Sequence, residues 1–161
     1  MEIKNIVAAI NQQRGEIKSV YFVGCGASKA ELFPAKYFLE KNSKTIRVGH
    51  YTANEFCHAT PAGVNDQAIV ITCSLGGTTP ETVAASKKAM ELGAAVVAVT
   101  HDGSSPLAQN AHYVIVHGFE KNYAAKLEKM TKVLQLAVEI LQVYEGYAYY
   151  ENMQTAFGQI P

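Results

Sequence analysis

The sequence predicts a three-layer αβα sandwich built on a five-stranded parallel sheet. Three observations carry that expectation. Short apolar runs alternate with amphipathic ones over most of the chain, joined by short links, as in parallel strands connected by crossover helices. The runs AIVIT and AVVAVT carry β-branched residues on both faces, as strands covered from both sides require. Finally, 161 residues of which 48% are hydrophobic are enough for one domain, spanning residues 1–161, with a sizeable core.

The elements follow in order. Ile3, Ile6, Val7 and Ile10 fall on one face of an N-terminal helix. SVYFVG (19–24) reads as a strand and SKAELFPAKYFLEK (28–41) as a helix kinked by Pro34. TIRVGHY (45–51) is a second strand, and ANEFCH (53–58) a short helical piece ahead of Pro61. DQAIVITCS (66–74), the most continuously apolar run, is a third strand, and PETVAASKKAMELG (80–93) a helix ending at Gly93. AAVVAVTH (94–101) makes a fourth strand, followed by a short helix capped by Ser105 with Pro106 at its first position. HYVIVHG (112–118) is the fifth strand. Beyond it, Leu127, Met130, Val133, Leu134, Ala137, Ile140 and Leu141 mark a long amphipathic helix from about 123 to 145, with a tail helix over 148–161.

Composition narrows the function. The 14 basic and 14 acidic residues cancel, so no broad positive surface is offered to nucleic acid or to an acidic membrane, and a small ligand is favoured. The N-terminus lacks the long apolar run of a signal peptide or membrane span, which predicts a cytoplasmic protein. Cys25, Cys57 and Cys73 lie in or beside apolar segments and read as buried, reduced thiols. Cys and His are too widely spaced for a metal site, and no cofactor is expected.

Ligands of open parallel sheets bind beyond the carboxyl ends of the strands, where helix N-termini present free amides. Two turns there carry unusual residues. In VGCGASKAE, Gly24 and Gly26 permit tight backbone geometry and Ser28 starts the next helix with its hydroxyl toward the crevice. In CSLGGTTPET, Ser74, Thr78 and Thr79 offer hydroxyls, Gly76 and Gly77 free the amides to form an anion nest, and Pro80 fixes the helix start beside Glu81. Amides, hydroxyls and a helix dipole can hold a phosphate without lysine, each such contact contributing on the order of 1 kcal/mol. Each turn alone is what ordinary helix capping would produce; the pair, on the first and third strands of one sheet, points to phosphate. GCGASK lacks the third glycine of a dinucleotide fingerprint and SLGGTTP lacks the lysine of a P-loop.

At these turns the chain resembles the sugar isomerase (SIS) family of phosphosugar-binding domains, a flavodoxin-like αβα fold, and the resemblance covers nearly its whole length. GCGAS is similar to the family's first turn and SLGGTTPET to its phosphate loop, S-x-S-G-x-T. The resemblance implies that Ser28, Ser74 and Thr79 supply phosphate-binding hydroxyls and that Gly26, Leu75, Gly76 and Gly77 supply backbone. Gly76 departs from the pattern by replacing the loop's second serine, so one hydroxyl is lost while its amide remains. FPAKYFLEK, NEF, GTTPETV, SPL and VYEGYAYYENMQ further resemble the N-terminal halves of Amadori-product 6-phosphate deglycases, which split fructoselysine or fructose-asparagine 6-phosphate into glucose 6-phosphate and an amino acid. Such enzymes carry two SIS domains in tandem, with the acid and base residues in the second. The implied reading is a phosphate-binding half that stops at GQIP near the link to a second domain, with its catalytic residues outside the chain. A phosphosugar isomerase, an amino-sugar phosphate deaminase and a non-catalytic sugar-phosphate sensor use the same turns and stay open.

The remaining candidates are weaker. Glu55 follows the second strand, where it could meet a sugar hydroxyl or serve only as a helix-start carboxylate. His50, His58, His101, His112 and His117 are scattered, without a carboxylate at relay spacing; His101 falls at the crevice edge. Cys25 reads as packing and Lys29 as a solvated lysine. The apolar face of the long helix and the cluster Tyr144, Tyr147, Tyr149 and Tyr150 predict an interface, with a second copy or a second domain.

Overall fold

The computed structural model describes residues 1–118 and 123–161. Five parallel strands form one sheet: β1 (Ser19–Gly24), β2 (Arg47–Thr52), β3 (Ala68–Cys73), β4 (Ala95–Thr100) and β5 (Tyr113–Val116), in the order β2-β1-β3-β4-β5. The chain leaves β1 toward one edge and returns to β3 on its other side. The topological switch point therefore lies between β1 and β3, the place where open α/β sheets bind ligands. Gly24 is level with Thr52 on one side and with Cys73 on the other, so the turns after β1 and β3 emerge side by side.

The helices are α1 (Ile3–Arg14), α2 (Gly26–Glu31), α3 (Phe33–Asn42), α4 (Ala53–His58), α5 (Pro80–Glu91), α6 (Pro106–Gln109), α7 (Tyr123–Glu145) and α8 (Tyr150–Gly158). Alternation along the strands decides which layer each residue joins. Val20, Phe22, Ile69, Ile71, Val97 and Val99 face α1, α3 and α7, whereas Tyr21, Val23, Val70 and Val96 face α4 and α5. Every residue of β1, β3 and β4 is buried, while β2 and β5 form the partly exposed edges.

Two details depart from the sequence reading. The helix expected over 28–41 is two helices broken at Leu32. Pro34 has no N–H for the residue 30 carbonyl and cannot continue the helix from that side, but it is well placed in the first turn of a new one. The second departure concerns α7, whose apolar face is not left open. Val133, Leu136, Ala137, Ile140 and Leu141 are buried against α1 and α3. The tyrosines close its end within the same chain: Tyr147 meets the Phe38 ring edge-on at 5.4 Å, and the Tyr150 hydroxyl donates to Glu139. Tyr149 alone of the four is strongly exposed.

No helix among the described residues is long and apolar enough to cross a membrane. Of the cysteines, Cys73 is buried and Cys25 and Cys57 are half-buried, all three as free thiols.

Candidate functional site

The second hydroxyl-rich turn is built by glycine and by its neighbours. Gly77 adopts φ +69°, and a Cβ there would fall 2.0 Å from Ser105 Oγ. Only glycine fits both that backbone and that space. The loop is tied down from the β4 side: Thr100 Oγ1 and the His101 amide both donate to the Leu75 carbonyl, at 3.0 and 2.9 Å. The Leu107 amide donates to the Gly77 carbonyl at 3.0 Å, while Ser105 caps α6 through the Ala108 amide. The loop thus rests on the start of α6, as the Ser-Pro signal there allows.

Thr79 occupies the N-cap position of α5, yet its side chain makes no capping bond. Its Oγ1 instead lies 2.9 Å from Ser74 Oγ, and Ser74 is 3% exposed. The two hydroxyls are therefore held as a pair, which ordinary capping does not explain. Among the described residues the amides of Gly76, Thr78 and Thr79 donate no hydrogen bond, and the Gly77 amide turns back to the Ser74 carbonyl at 3.2 Å. Free amides and paired hydroxyls at the N-terminus of a 12-residue helix form a donor-rich, cation-free cradle suited to an anion.

The first turn reaches the same place. Gly24 is squeezed between strands: a Cβ would lie 3.2 Å from the Cys73 carbonyl and 3.1 Å from the Lys29 amide. Gly26 opens α2 with φ +54°. One turn on, the half-buried Ser28 side chain comes close enough to influence the thiol of Cys73, the residue before Ser74. Burial drives the Cys73 thiol up to about 11, with smaller influences from Lys129, Glu31 and Ser28, so it is an inert neutral neighbour. Ser28 and Leu75 then share the wall of a cleft of about 340 Å³ with Glu31, His117, Lys126 and Lys129.

That cleft brings in residues the sequence did not single out. Lys129, 4% exposed, pairs with Glu31 across the gap between α7 and α2, and Lys126 is exposed on the same wall. The site is neutral at its hydroxyl loop, but α7 adds cationic side chains at one side. His117 directly follows β5, and its position at a strand's carboxyl end was the signal that could have found it.

The other candidates fall as follows. Glu55 is exposed in the first turn of α4, where its amide receives the Thr52 cap, and it is not part of the cleft wall. Cys25 Sγ contacts Thr82 Oγ1 at 3.6 Å. His50 Nε2 donates to the Lys29 carbonyl at 2.8 Å, tying β2 to α2, and burial lowers its pKa. His101 is joined to the hydroxyl-rich loop through its backbone. Among the described residues no group of three His, Cys, Asp or Glu side chains could hold a metal ion.

Comparison with known proteins places these features in context. The profile of the SIS domain family matches residues 16–144. Fructosamine deglycase FrlB of Bacillus subtilis (strain 168) is 34% identical over 98% of this chain and 48% of its own length. Fructoselysine 6-phosphate deglycase of Escherichia coli (strain K12) is 31% identical over 62% of this chain and 29% of its own length. The crystal structure of a candidate phosphosugar isomerase from Salmonella typhimurium LT2 superposes with a TM-score of 0.91 at 38% identity, covering 98% of this chain and 48% of that one. The chain spans less than half the length of these relatives.

Proposed function

From the premise that this chain belongs to the SIS domain family, we propose that it binds the phosphate of a phosphorylated sugar in the crevice above β1 and β3. One observation carries the reading. The paired Ser74 and Thr79 hydroxyls lie at the switch point of the sheet, where amides are also free, and the turn that carries Ser28 emerges beside them. Clustered amide and hydroxyl donors, with the α7 lysines to one side, favour an anion that brings several acceptor oxygens, as a phosphate does.

The chain is further proposed to be the N-terminal half of a fructose-amino acid 6-phosphate deglycase that releases glucose 6-phosphate and an amino acid in the cytoplasm. Similarity to the two named deglycases along the chain supports this reading. Its task is positional: fixing the phosphate holds carbons 1 and 2 of the sugar where acid and base groups act. Those groups come from a second SIS domain, in the same or another chain. Phe33 and Tyr37, each 50% exposed and 6.0 Å apart on α3, supply an apolar surface for such docking.

Calorimetric titration tests the binding reading. Glucose 6-phosphate and fructose 6-phosphate are expected to bind, while glucose and fructose do not. Equal affinity with and without the phosphate overturns it. For the deglycase reading, fructoselysine 6-phosphate is supplied to the two-domain protein. Release of glucose 6-phosphate and lysine is the expected result, and simple ketose–aldose interconversion would identify an isomerase instead.

A further inference from the structure

We propose that His117 determines specificity at this site by accepting, through Nε2, a hydrogen bond from a ligand hydroxyl remote from the phosphate. The proposal rests on the phosphosugar reading and concerns the cleft wall beyond the hydroxyl-rich loop. His117 directly follows β5, is 4% exposed, and forms part of the cleft wall that Ser28 and Leu75 also line. Its Nδ1 lies 3.0 Å from the Gly118 carbonyl. A carbonyl only accepts, so Nδ1 carries the ring proton and Nε2 of the neutral ring is a bare lone pair. Among the described residues that Nε2 is buried and has no hydrogen-bond partner. Buried polar atoms are nearly always paired, and since His117 belongs to the cleft wall, the missing partner is inferred to be a ligand group entering that cleft.

The surroundings keep the ring neutral. Burial is the main influence lowering its pKa; Lys129 on α7 and His101 beyond β4 act in the same direction, while the Gly118 carbonyl and Glu128 on α7 oppose them. Glu31 and Lys126 line the same cleft, and Glu31 is already engaged by Lys129. A bare lone pair is complementary to an O–H group and repels a phosphate dianion, which has no proton to donate. The ligand is thereby oriented with its phosphate at Ser28 and Ser74 and its hydroxyl-bearing carbons toward β5. A sugar phosphate is distinguished from inorganic phosphate by this one acceptor.

The test compares fructose 6-phosphate with inorganic phosphate as probes of the 161-residue chain. His117→Phe keeps an aromatic ring but removes the lone pair, and is expected to weaken fructose 6-phosphate binding about tenfold while leaving inorganic phosphate unchanged. His117→Gln, which retains an acceptor, is expected to recover most of that loss. In the wild-type chain labelled with ¹⁵N-histidine, the Nε2 resonance is expected at the unprotonated position and to move on addition of fructose 6-phosphate but not of inorganic phosphate. Unchanged fructose 6-phosphate affinity in His117→Phe overturns the proposal, as does a wild-type Nε2 resonance indifferent to a sugar phosphate that does bind. Failure of the wild-type chain to bind either probe overturns the phosphosugar reading itself.

Discussion

The two glycines of the phosphate loop make opposite predictions, and comparing them tests the loop geometry directly. At Gly77 the backbone stands at φ +69°, and a Cβ would meet Ser105 Oγ at 2.0 Å, Ser105 Cβ at 2.4 Å and Thr100 Oγ1 at 3.1 Å. Alanine in that conformation costs about 1–2 kcal/mol, and forcing a methyl group into filled space costs about 1–3 kcal/mol more. Gly77→Ala is therefore expected to lose about 2–5 kcal/mol of stability, a fall in Tm of at least about 5 °C. Because Thr100 ties the loop at Leu75 and Ser105 caps α6, the same change should displace the cradle and abolish sugar-phosphate binding. At Gly76 φ is not positive, and a Cβ would meet only Thr78 Oγ1, at 3.6 Å. Gly76→Ala is expected to leave stability within about 0.5 kcal/mol. Gly76→Ser restores the hydroxyl of the family pattern and is expected to tighten sugar-phosphate binding by about 1 kcal/mol. Thermal melts and calorimetric titrations of the three variants decide the matter. If Gly77→Ala is as stable and as active in binding as Gly76→Ala, the described loop is wrong.

Three further outcomes are expected. Ser74→Ala and Thr79→Val should each weaken glucose 6-phosphate affinity by about 1–3 kcal/mol and leave any affinity for glucose unchanged; equal losses for both ligands would remove the phosphate role. Stability should fall on mild acidification, because burial lowers the pKa values of His50, His112 and His117 below their unfolded value of 6.5. The unfolded chain then takes up protons first, so this stability is present above about pH 6.5 and is lost as pH falls toward the folded-state values; an unchanged Tm between pH 7.5 and 5.5 would contradict it. In alkylation at pH 8, Cys57, whose pKa burial raises against an opposing influence from Lys88 but which is only half-buried, should be modified slowly in the native state, whereas Cys73, pushed up to about 11 by burial, should react only on unfolding. Mapping by mass spectrometry with and without denaturant reads this out, and native modification of Cys73 would refute it.

The strands were legible because burial on both faces leaves a local mark, a continuous apolar run between turn residues. Their order was not, since no local pattern records which strand pairs with which. Yet the order decides the meaning of the turns: GCGAS and SLGGTTPET become one site because β1 and β3 are neighbours in register at Gly24 and Cys73. The long helix shows the opposite limit. Its periodicity announced an apolar face, but nothing in Leu136 or Ile140 says whether a partner or the chain itself covers it, and α1 and α3 do. The placement of Ser28, Ser74 and Thr79 at strand-to-helix turns was readable from the local sequence. Lys129 was not, because its pairing with Glu31 spans 98 residues of sequence.

The same distance between sequence and space explains how one small cleft can serve two chemical ends. A phosphate dianion only accepts and so needs N–H and O–H donors, and the loop supplies amides and hydroxyls fixed by Gly77, Thr100 and Leu107. A sugar hydroxyl also needs an acceptor. The acceptor we propose is His117, just beyond β5, on the cleft wall it shares with the Lys129–Glu31 pair. Moving the acceptor onto the phosphate loop would place a lone pair against the dianion and weaken both contacts. Separating the two functions onto β3 and β5, with α2 and α7 closing the space between, lets each end be optimised without opposing the other.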